Sequence, residues 1–315
     1  MEVDSGGRFF EGDLNGSDGM NAPLPRGLIE TSNICVKNCF YCGIRRGNSA
    51  LARYRMSEDE VFACIAEARR RGYPAIALQA GEVESEANTV YYESILTRLT
   101  AEENAAKLPP LEVTLSLGEQ TETVYRRWQA AAGRRVLRYL LRIETSNPEL
   151  YAELHPADHS FSRRVECIKT LKRLGYVTGS GVMIGLPGQT HDDLERDLDW
   201  FEEMQLDMVG MGPYIPAADT PLGISEKGKV KSEKVGVECG WWTEDKRLET
   251  ALWMIGEVRR RMPKVNIVAA TALEALDPAG RELGLASGAN VIMPDLTPEK
   301  YKRAYDLYPG KVTAR

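Results

Sequence analysis

Short apolar runs alternate with amphipathic stretches along most of this chain. Runs bounded by Gly, Pro or Asp predict eight strands, at 27–31 (GLIET), 75–81 (AIALQAG), 112–118 (EVTLSLG), 138–144 (RYLLRIE), 179–185 (GSGVMIG), 207–213 (DMVGMGP), 265–271 (VNIVAAT) and 289–294 (ANVIMP). Ser57-Glu-Asp-Glu60 opens one intervening helical stretch with a capping box. Ser160 to Leu174 and His191 to Met204 are others. Eight β-then-α units predict an α/β fold, a (β/α)8 barrel of the TIM type. A doubly wound open sheet is the alternative, and it normally uses fewer strands.

Alternate residues of a strand face one side. Val113, Leu115 and Leu117 stand against Thr114, Ser116 and Gly118. Tyr139, Leu141 and Ile143 stand against Leu140, Arg142 and Glu144. Gly179, Gly181, Met183 and Gly185 share one face, as do Met208, Gly210 and Gly212, and as do Ala269 and Thr271. The bulky faces should meet the helices, and the small and polar faces should point into the barrel. An ordinary barrel fills its axis with Val, Ile and Leu. This one predicts a hollow axis lined by hydroxyls and charges. The alternative is that small residues only relieve crowding.

Composition narrows the class. Of 315 residues, 43% are hydrophobic and 27% charged, the balance of an ordinary globular chain. A net charge of -6 argues against nucleic acid as the main partner. No apolar run is long enough to predict a transmembrane helix. Residues 1–27 are rich in Gly, Asp and Asn and read as a short flexible arm, with the barrel at 28–315. The arm lacks the basic start and apolar core of a secretory signal. Six cysteines without a disulfide-like pattern fit a reducing compartment, hence the cytoplasm or, alternatively, an organellar stroma or matrix. Cys64 and Cys167 lie in helical patterns as small core hydrophobes. His155, His159 and His191 stand alone and read as surface or cap residues.

The chemistry is concentrated in Cys35-Val-Lys-Asn-Cys39-Phe-Tyr-Cys42, just after the first strand. Three thiolates at this spacing converge on one metal centre and supply no fourth ligand. Iron–sulfur cubes usually have four thiolates. A cube held by three leaves one iron with an open position, where chemistry takes place. Structural zinc, the competing reading, wants four paired Cys/His ligands, and the next cysteine is Cys64.

The triplet, the barrel pattern and the hollow axis together resemble the radical S-adenosylmethionine (SAM) superfamily. Tyr41, the aromatic before the third cysteine, matches too. A finer resemblance is to its FeFe-hydrogenase maturase branch (HydE), related to biotin synthase and methylornithine synthase. It rests on Ser32 to Arg46, Arg53-Tyr-Arg-Met56, Leu78-Gln-Ala-Gly-Glu82, Val113 to Glu119, Tyr139 to Asn147, Gly185-Leu-Pro-Gly-Gln-Thr190, Asp207 to Pro213, Ala289 to Pro294 and Leu307-Tyr-Pro-Gly-Lys311.

The resemblance implies a 4Fe–4S cluster on Cys35, Cys39 and Cys42, with SAM on its fourth iron. SAM cleavage would yield a 5′-deoxyadenosyl radical that abstracts hydrogen. Gln79, Gly81 and Glu82 would hold SAM's amino group, and Gly81 lets the backbone approach closely. Glu144 would reach the ribose or amino group, and Arg164 the carboxylate. Arg142 shares the Glu144 face, where an ion pair is the alternative. Gly185 to Thr190 would pack on adenine. Met208, Met293 and Tyr301 match positions beside SAM or substrate, with core packing the alternative for the two methionines. Thr114, Ser116, Arg142 and Thr271 would line the substrate site. Ala270 departs from the threonine of family members, which questions identical anion binding.

The branch implies action in H-cluster maturation, on a small-molecule or organometallic iron substrate. Implied partners are a GTPase scaffold maturase, a companion radical SAM maturase and a ferredoxin-like electron donor. Some relatives carry further cysteines for a second cluster near the C-terminus; one cluster is expected here. A methylornithine synthase- or biotin synthase-type paralogue acting on a small amino-acid-like substrate, or a non-catalytic iron–sulfur scaffold, are the alternatives. Segment 217–243, with Cys239 and Trp241-Trp242, would be a lid, a docking surface or a plain insertion.

Overall fold

The computed structural model describes residues 22–227 and 242–311. Residues 1–21 of the arm lie outside it, as do Cys239, Trp241 and Gly228 to Lys231. Among the described residues ten strands form, β1 (Leu24–Ser32), β2 (Ala75–Ala80), β3 (Glu112–Ser116), β4 (Arg138–Leu140), β5 (Val177–Ser180), β6 (Met183–Ile184), β7 (Met208–Val209), β8 (Gly212–Pro213), β9 (Asn266–Ile267) and β10 (Val291–Ile292). The helices that matter below are α1 (Glu58–Arg70), α2 (Glu86–Ala106), α3 (Glu122–Ala131), α4 (Pro148–Leu154), α5 (Phe161–Arg173), α6 (His191–Glu203), α7 (Pro221–Lys227), α8 (Glu244–Arg261) and α9 (Thr271–Leu276). Eight strands join in the parallel order β10-β1-β2-β3-β4-β5-β7-β9. A parallel bridge between Val268 and Val291, with Ala269 N–H donating to the Val291 carbonyl at 2.9 Å, brings the last strand back to the first. This is the (β/α)8 barrel that the strand–helix alternation predicts.

The local signals explain the elements. The Ser57 side chain accepts from Glu60 N–H while Glu60 answers to the Ser57 amide, so the capping box starts α1. β1 starts at Leu24, three residues ahead of the expected strand, because Leu24 and Pro25 pair with Val291 and Ile292. Strands 179–185 and 207–213 each break in two. A Cβ on Gly181 would stand 1.8 Å from the Gly210 carbonyl oxygen, so the two backbones cross there and pairing resumes as β6 with β8. Strand 265–271 is cut short because Thr271 already opens α9. Ala269 consequently faces the helices, beside Gly284 and Ile255, and does not share an inner face with Thr271.

Outward residues are fully buried. Tyr139 packs edge-on against Tyr125 and parallel to Trp128, both of α3. Along 138–145 the pattern alternates unbroken: Tyr139, Leu141, Ile143 and Thr145 are buried, while Arg138, Leu140, Arg142 and Glu144 are half-buried. Asn266, Val268 and Ala270 alternate in the same way with Val265, Ile267 and Ala269. Half-exposed side chains inside a closed ring mean open space along its axis. The lower end of that space is stoppered. Glu112 receives Arg26 at 2.9 Å and Arg138 at 3.0 Å, and Arg138 Nε lies 3.4 Å from Met208 Sδ.

Candidate active site

Cys35, Cys39 and Cys42 sit in the loop that leaves β1 at the C-terminal mouth, where barrels of this kind carry chemistry. One side chain organises that loop. The Arg53 guanidinium donates to the carbonyls of Asn33 (2.7 Å), Ile44 (2.7 Å), Arg45 (2.6 Å) and Asn48 (3.2 Å). Three neighbours then fix its outer side. Val36 N–H donates to the Glu82 carbonyl at 2.8 Å, Phe40 N–H to the Leu154 carbonyl at 2.9 Å, and Asn38 N–H to His159 Nε2 at 3.1 Å. Gly81 allows β2 to end against the loop, since a Cβ there would lie 2.3 Å from the Ile34 carbonyl oxygen and 2.7 Å from Cys35 Cβ.

The donor set fits a three-thiolate cluster. The thiols are near enough that each of Cys35 and Cys39 raises the pKa of Cys42. Burial pushes all three up, Cys39 to about 12 despite Arg164 nearby. Holding three such thiolates together requires strong positive charge, which a bound iron–sulfur centre supplies. Among the described residues no three Cys, His, Asp or Glu side chains close on a single-ion point.

Beside the loop lies a buried charge network. Lys37 Nζ reaches Glu82 at 3.1 Å and Glu119 at 3.2 Å. Arg164 Nε binds Glu119 at 2.7 Å, and its Nη2 stands 3.6 Å from Glu82. Arg163 also turns its Nε to Glu119 at 3.2 Å and pairs outward with Glu84. Burial raises the Glu82 carboxyl, and Arg164 opposes the shift. Glu144 adopts a left-handed φ of 67°, uncommon for a side chain of its size, and pairs with Arg142 at 2.9 Å. Arg142 Nε is buried and has no hydrogen-bond partner among the described residues.

The chamber below has a wall that the strand pattern does not reveal. Strand register sets Glu30, Gln79 and Ser116 in one row on the inner face. The C-terminal segment 303–311 folds over this row. Lys311 pairs with Glu30, the Tyr305 hydroxyl bonds Gln79, and the Tyr308 hydroxyl lies 2.7 Å from Thr271 Oγ1. Burial pushes the Glu30 carboxyl up to about 7 against the pull of Lys311. A cavity of about 280 Å3 opens at the mouth between Asn48, Leu51, Ala217, Asp219, Asp306 and Tyr308.

The structure thus gathers Cys35, Cys39, Cys42, Tyr41, Gly81, Glu82, Arg142, Glu144 and Arg164 about the mouth, with Gln79 and Thr271 below them against the C-terminal segment. Tyr41 packs against the apolar cluster of Leu150, Leu154, Leu186 and Tyr214, which Met183 also borders. Thr114 lies deeper, 3.5 Å from Arg26 Nη1, toward the stoppered end. Met208 belongs to that lower end and is not brought to the cluster loop. Met293 follows β10 and is half-buried. Tyr301 lies on the outer side: its ring stacks on Tyr54 at 4.4 Å, and its hydroxyl reaches Glu60 of α1 at 3.0 Å.

Two histidines overturn the surface half of their reading, although His155 does cap α4. His155 and His159 are only 3% and 9% exposed. His155 Nε2 meets the Tyr41 hydroxyl at 3.3 Å, and His159 holds Asn38. His191 is exposed as expected. Glu119, Glu30, Lys311, Tyr305 and Tyr308 were absent from the strand-face reading. Their signals were a charge just past a strand end and the Leu307-Tyr-Pro-Gly-Lys311 stretch.

A model of the radical SAM superfamily matches residues 29–201. The chain belongs to the radical SAM superfamily. It is also 43% identical over 287 residues to the FeFe hydrogenase maturase subunit HydE of Thermotoga maritima, covering 91% of this chain and 74% of that protein. That places it in the HydE family of radical SAM enzymes. A biotin synthase of Chlorobium luteolum is 26% identical over 61% of this chain and 56% of its own length. Among solved structures, methylornithine synthase superposes with a TM-score of 0.66 at 22% identity, covering 87% of this chain and 72% of that one. The maturase HydG of Carboxydothermus hydrogenoformans gives 0.70 at 20% identity, with 93% and 64% covered. At those identities the two structures speak for the radical SAM barrel alone.

Proposed function

We propose that this radical SAM enzyme acts in maturation of the FeFe-hydrogenase H-cluster, on a small or organometallic iron substrate held in the barrel. The observation that carries the reading is a three-thiol loop over a hollow, polar-lined barrel, in a chain this similar to a HydE maturase. A 4Fe–4S cluster held by Cys35, Cys39 and Cys42, with SAM bound beside it, would supply the reductive SAM cleavage that yields a 5′-deoxyadenosyl radical.

The chain's own residues do the rest. Cys35, Cys39 and Cys42 hold one cluster. The Arg164 fork takes SAM's carboxylate, while Gln79, Gly81, Glu82 and Glu144 address its amino and ribose groups. Tyr41 and the Gly185-Leu186 turn give adenine an apolar, aromatic seat. Ser116, Arg142 and Thr271 present hydroxyl and guanidinium donors to a substrate inside the chamber, and the C-terminal segment keeps bulk water from it. No described helix is long and apolar enough to cross a membrane, and we place the protein in the cytoplasm. A GTPase scaffold and a companion radical SAM maturase would take its product, and a ferredoxin-like protein would supply electrons.

A second reading, a paralogue acting on a small amino-acid-like substrate, draws on Ala270, which caps α9 without a side-chain bond and offers the chamber no hydroxyl. Anaerobic maturation of apo-hydrogenase with the two companion maturases and this protein separates them. Hydrogen evolution that requires SAM and disappears in Cys39→Ala supports maturation. 5′-Deoxyadenosine without hydrogen evolution supports the paralogue. Absence of both products sinks each.

A further inference from the structure

One carboxylate gathers the charges around the SAM-facing arginine. Glu119, fully buried just past the end of β3, receives Lys37 Nζ and Arg163 Nε on Oε2, each at 3.2 Å, and Arg164 Nε on Oε1 at 2.7 Å. Lys37 belongs to the cluster loop, and the two arginines open α5. A buried carboxylate so placed is stable only while those cations remain, and they are stable only with it.

The contacts of Arg164 are unequal. Its Nε forms a close ion pair with Glu119 Oε1 at 2.7 Å, though the two atoms are not aligned as a hydrogen bond. Its terminal nitrogens stand farther from their partners, Nη2 at 3.6 Å from Glu82 and Nη1 donating to the Arg142 carbonyl at 3.4 Å. The Nη pair is the edge of a guanidinium that grips a carboxylate in parallel. Arg164 is therefore anchored at its stem and lightly held at its fork. A long side chain fixed in advance in this way loses less rotamer freedom when a ligand arrives. Glu82 cannot be that anchor, because at 3.6 Å it faces the fork itself and competes with an incoming carboxylate.

We infer that Glu119 is a positioning residue, which orients the Arg164 fork toward SAM's carboxylate and ties it through Lys37 to the cluster loop. The inference rests on the reading of Arg164 as the carboxylate site. It predicts that Glu119 acts on SAM through Arg164 and not independently.

A double-mutant cycle tests this in the reconstituted, reduced protein. SAM is titrated into wild type, Glu119→Gln, Arg164→Gln and the double variant. Affinity is read from the change in the cluster's EPR spectrum and from calorimetry, with iron content checked first. Glu119→Gln should weaken SAM binding about tenfold or more, because it removes the buried charge that pairs with Arg164. KM for SAM should rise by more than kcat falls. In the Arg164→Gln background the same change should add less than about twofold. Unchanged affinity in Glu119→Gln, or an equal loss in both backgrounds, overturns the positioning role. An Arg164→Gln protein that binds SAM normally instead removes the carboxylate reading beneath it. Should Glu119→Gln lose iron, Glu119→Asp, which keeps the charge, takes its place; iron loss in both would make Glu119 a loop residue and overturn the inference.

Discussion

A Cβ placed on Gly43 would stand 2.1 Å from the carbonyl oxygen of Asp306. The Leu307 carbonyl would be 3.1 Å away. The loop that carries the cysteines and the segment that ends the barrel therefore run backbone to backbone. Gly43 N–H donates to the Leu307 carbonyl at 3.1 Å, and Asn33 Nδ2 donates to that of Ala304 at 2.6 Å. The residue after the third cysteine is glycine here for want of space. Any shift of the C-terminal segment would move the cluster loop with it.

Gly43→Ala should accordingly force the two backbones apart. Overpacking of this kind costs about 1–3 kcal/mol. The expected result is a lower thermal midpoint together with reduced iron uptake on reconstitution. Gly256→Ala in α8 is the control, because a Cβ there meets nothing closer than 3.7 Å. A Gly43→Ala protein with full iron and wild-type stability would show that the segments are not locked together.

His155 gives a pH dependence with a definite sign. Its Nδ1–H donates to the Tyr151 carbonyl at 2.7 Å, which leaves Nε2 to accept from Tyr41. Burial lowers its pKa to about 3, from a normal 6.5. Below pH 6.5 the unfolded chain takes up a proton that the folded imidazole refuses. Stability contributed by this site is thus complete above pH 6.5 and declines as pH falls toward 3, by about 1.4 kcal/mol per pH unit at most. Urea unfolding at pH 7.5 and 5.5 should show a smaller acid loss in His155→Gln than in wild type. Parallel losses would mean that the imidazole is not buried neutral in solution.

Arg53 is the side chain on which the loop's shape depends most. One planar guanidinium serves four carbonyls, a geometry that a lysine ammonium cannot span. Arg53→Lys should leave the barrel folded. Hydrogen exchange across 34–48 should nevertheless rise, and iron should be lost more readily during gel filtration. Equal protection in the two proteins would assign the loop's order to its other contacts.

The eight strands were legible as short apolar runs bounded by Gly, Pro or Asp. Their inner faces were legible because period-two alternation survives wherever the ladder is regular. Alternation misled where it stopped: Thr271 opens a helix, so counting on from Ala269 put two residues on one face that the chain turns apart. The cysteine triplet was legible because its ligands are adjacent in sequence. His155 and His159 were not, since nothing near them in sequence signals Tyr41 or Asn38, more than a hundred residues earlier. Glu119 was not legible either, because Lys37 and Arg164 come to it from other elements.

The Glu30–Lys311 pair, 281 residues apart in sequence, is the furthest-reaching of these contacts and the most exacting to test. Glu30 is 1% exposed, and its Oε2 has no hydrogen-bond partner among the described residues. Burial already raises its carboxyl to about 7, and Lys311 restrains the rise. An acid whose folded pKa exceeds its unfolded one loses stability as pH climbs between the two values. In wild type that decline spans about 4.5 to 7 and then levels off. In Lys311→Met the restraint is gone, so the folded pKa rises further and the decline continues above 7. Removing one partner of a buried pair costs roughly 3–5 kcal/mol when the remaining charge cannot be neutralised. Protonation of Glu30 should keep the loss well below that at pH 6 and let it grow toward pH 8. Glu30→Gln combined with Lys311→Met should abolish the extra pH dependence. Denaturation of the three proteins at pH 6, 7 and 8 decides the point. A Lys311→Met curve parallel to wild type throughout would mean that the C-terminal segment does not seat its lysine inside the barrel.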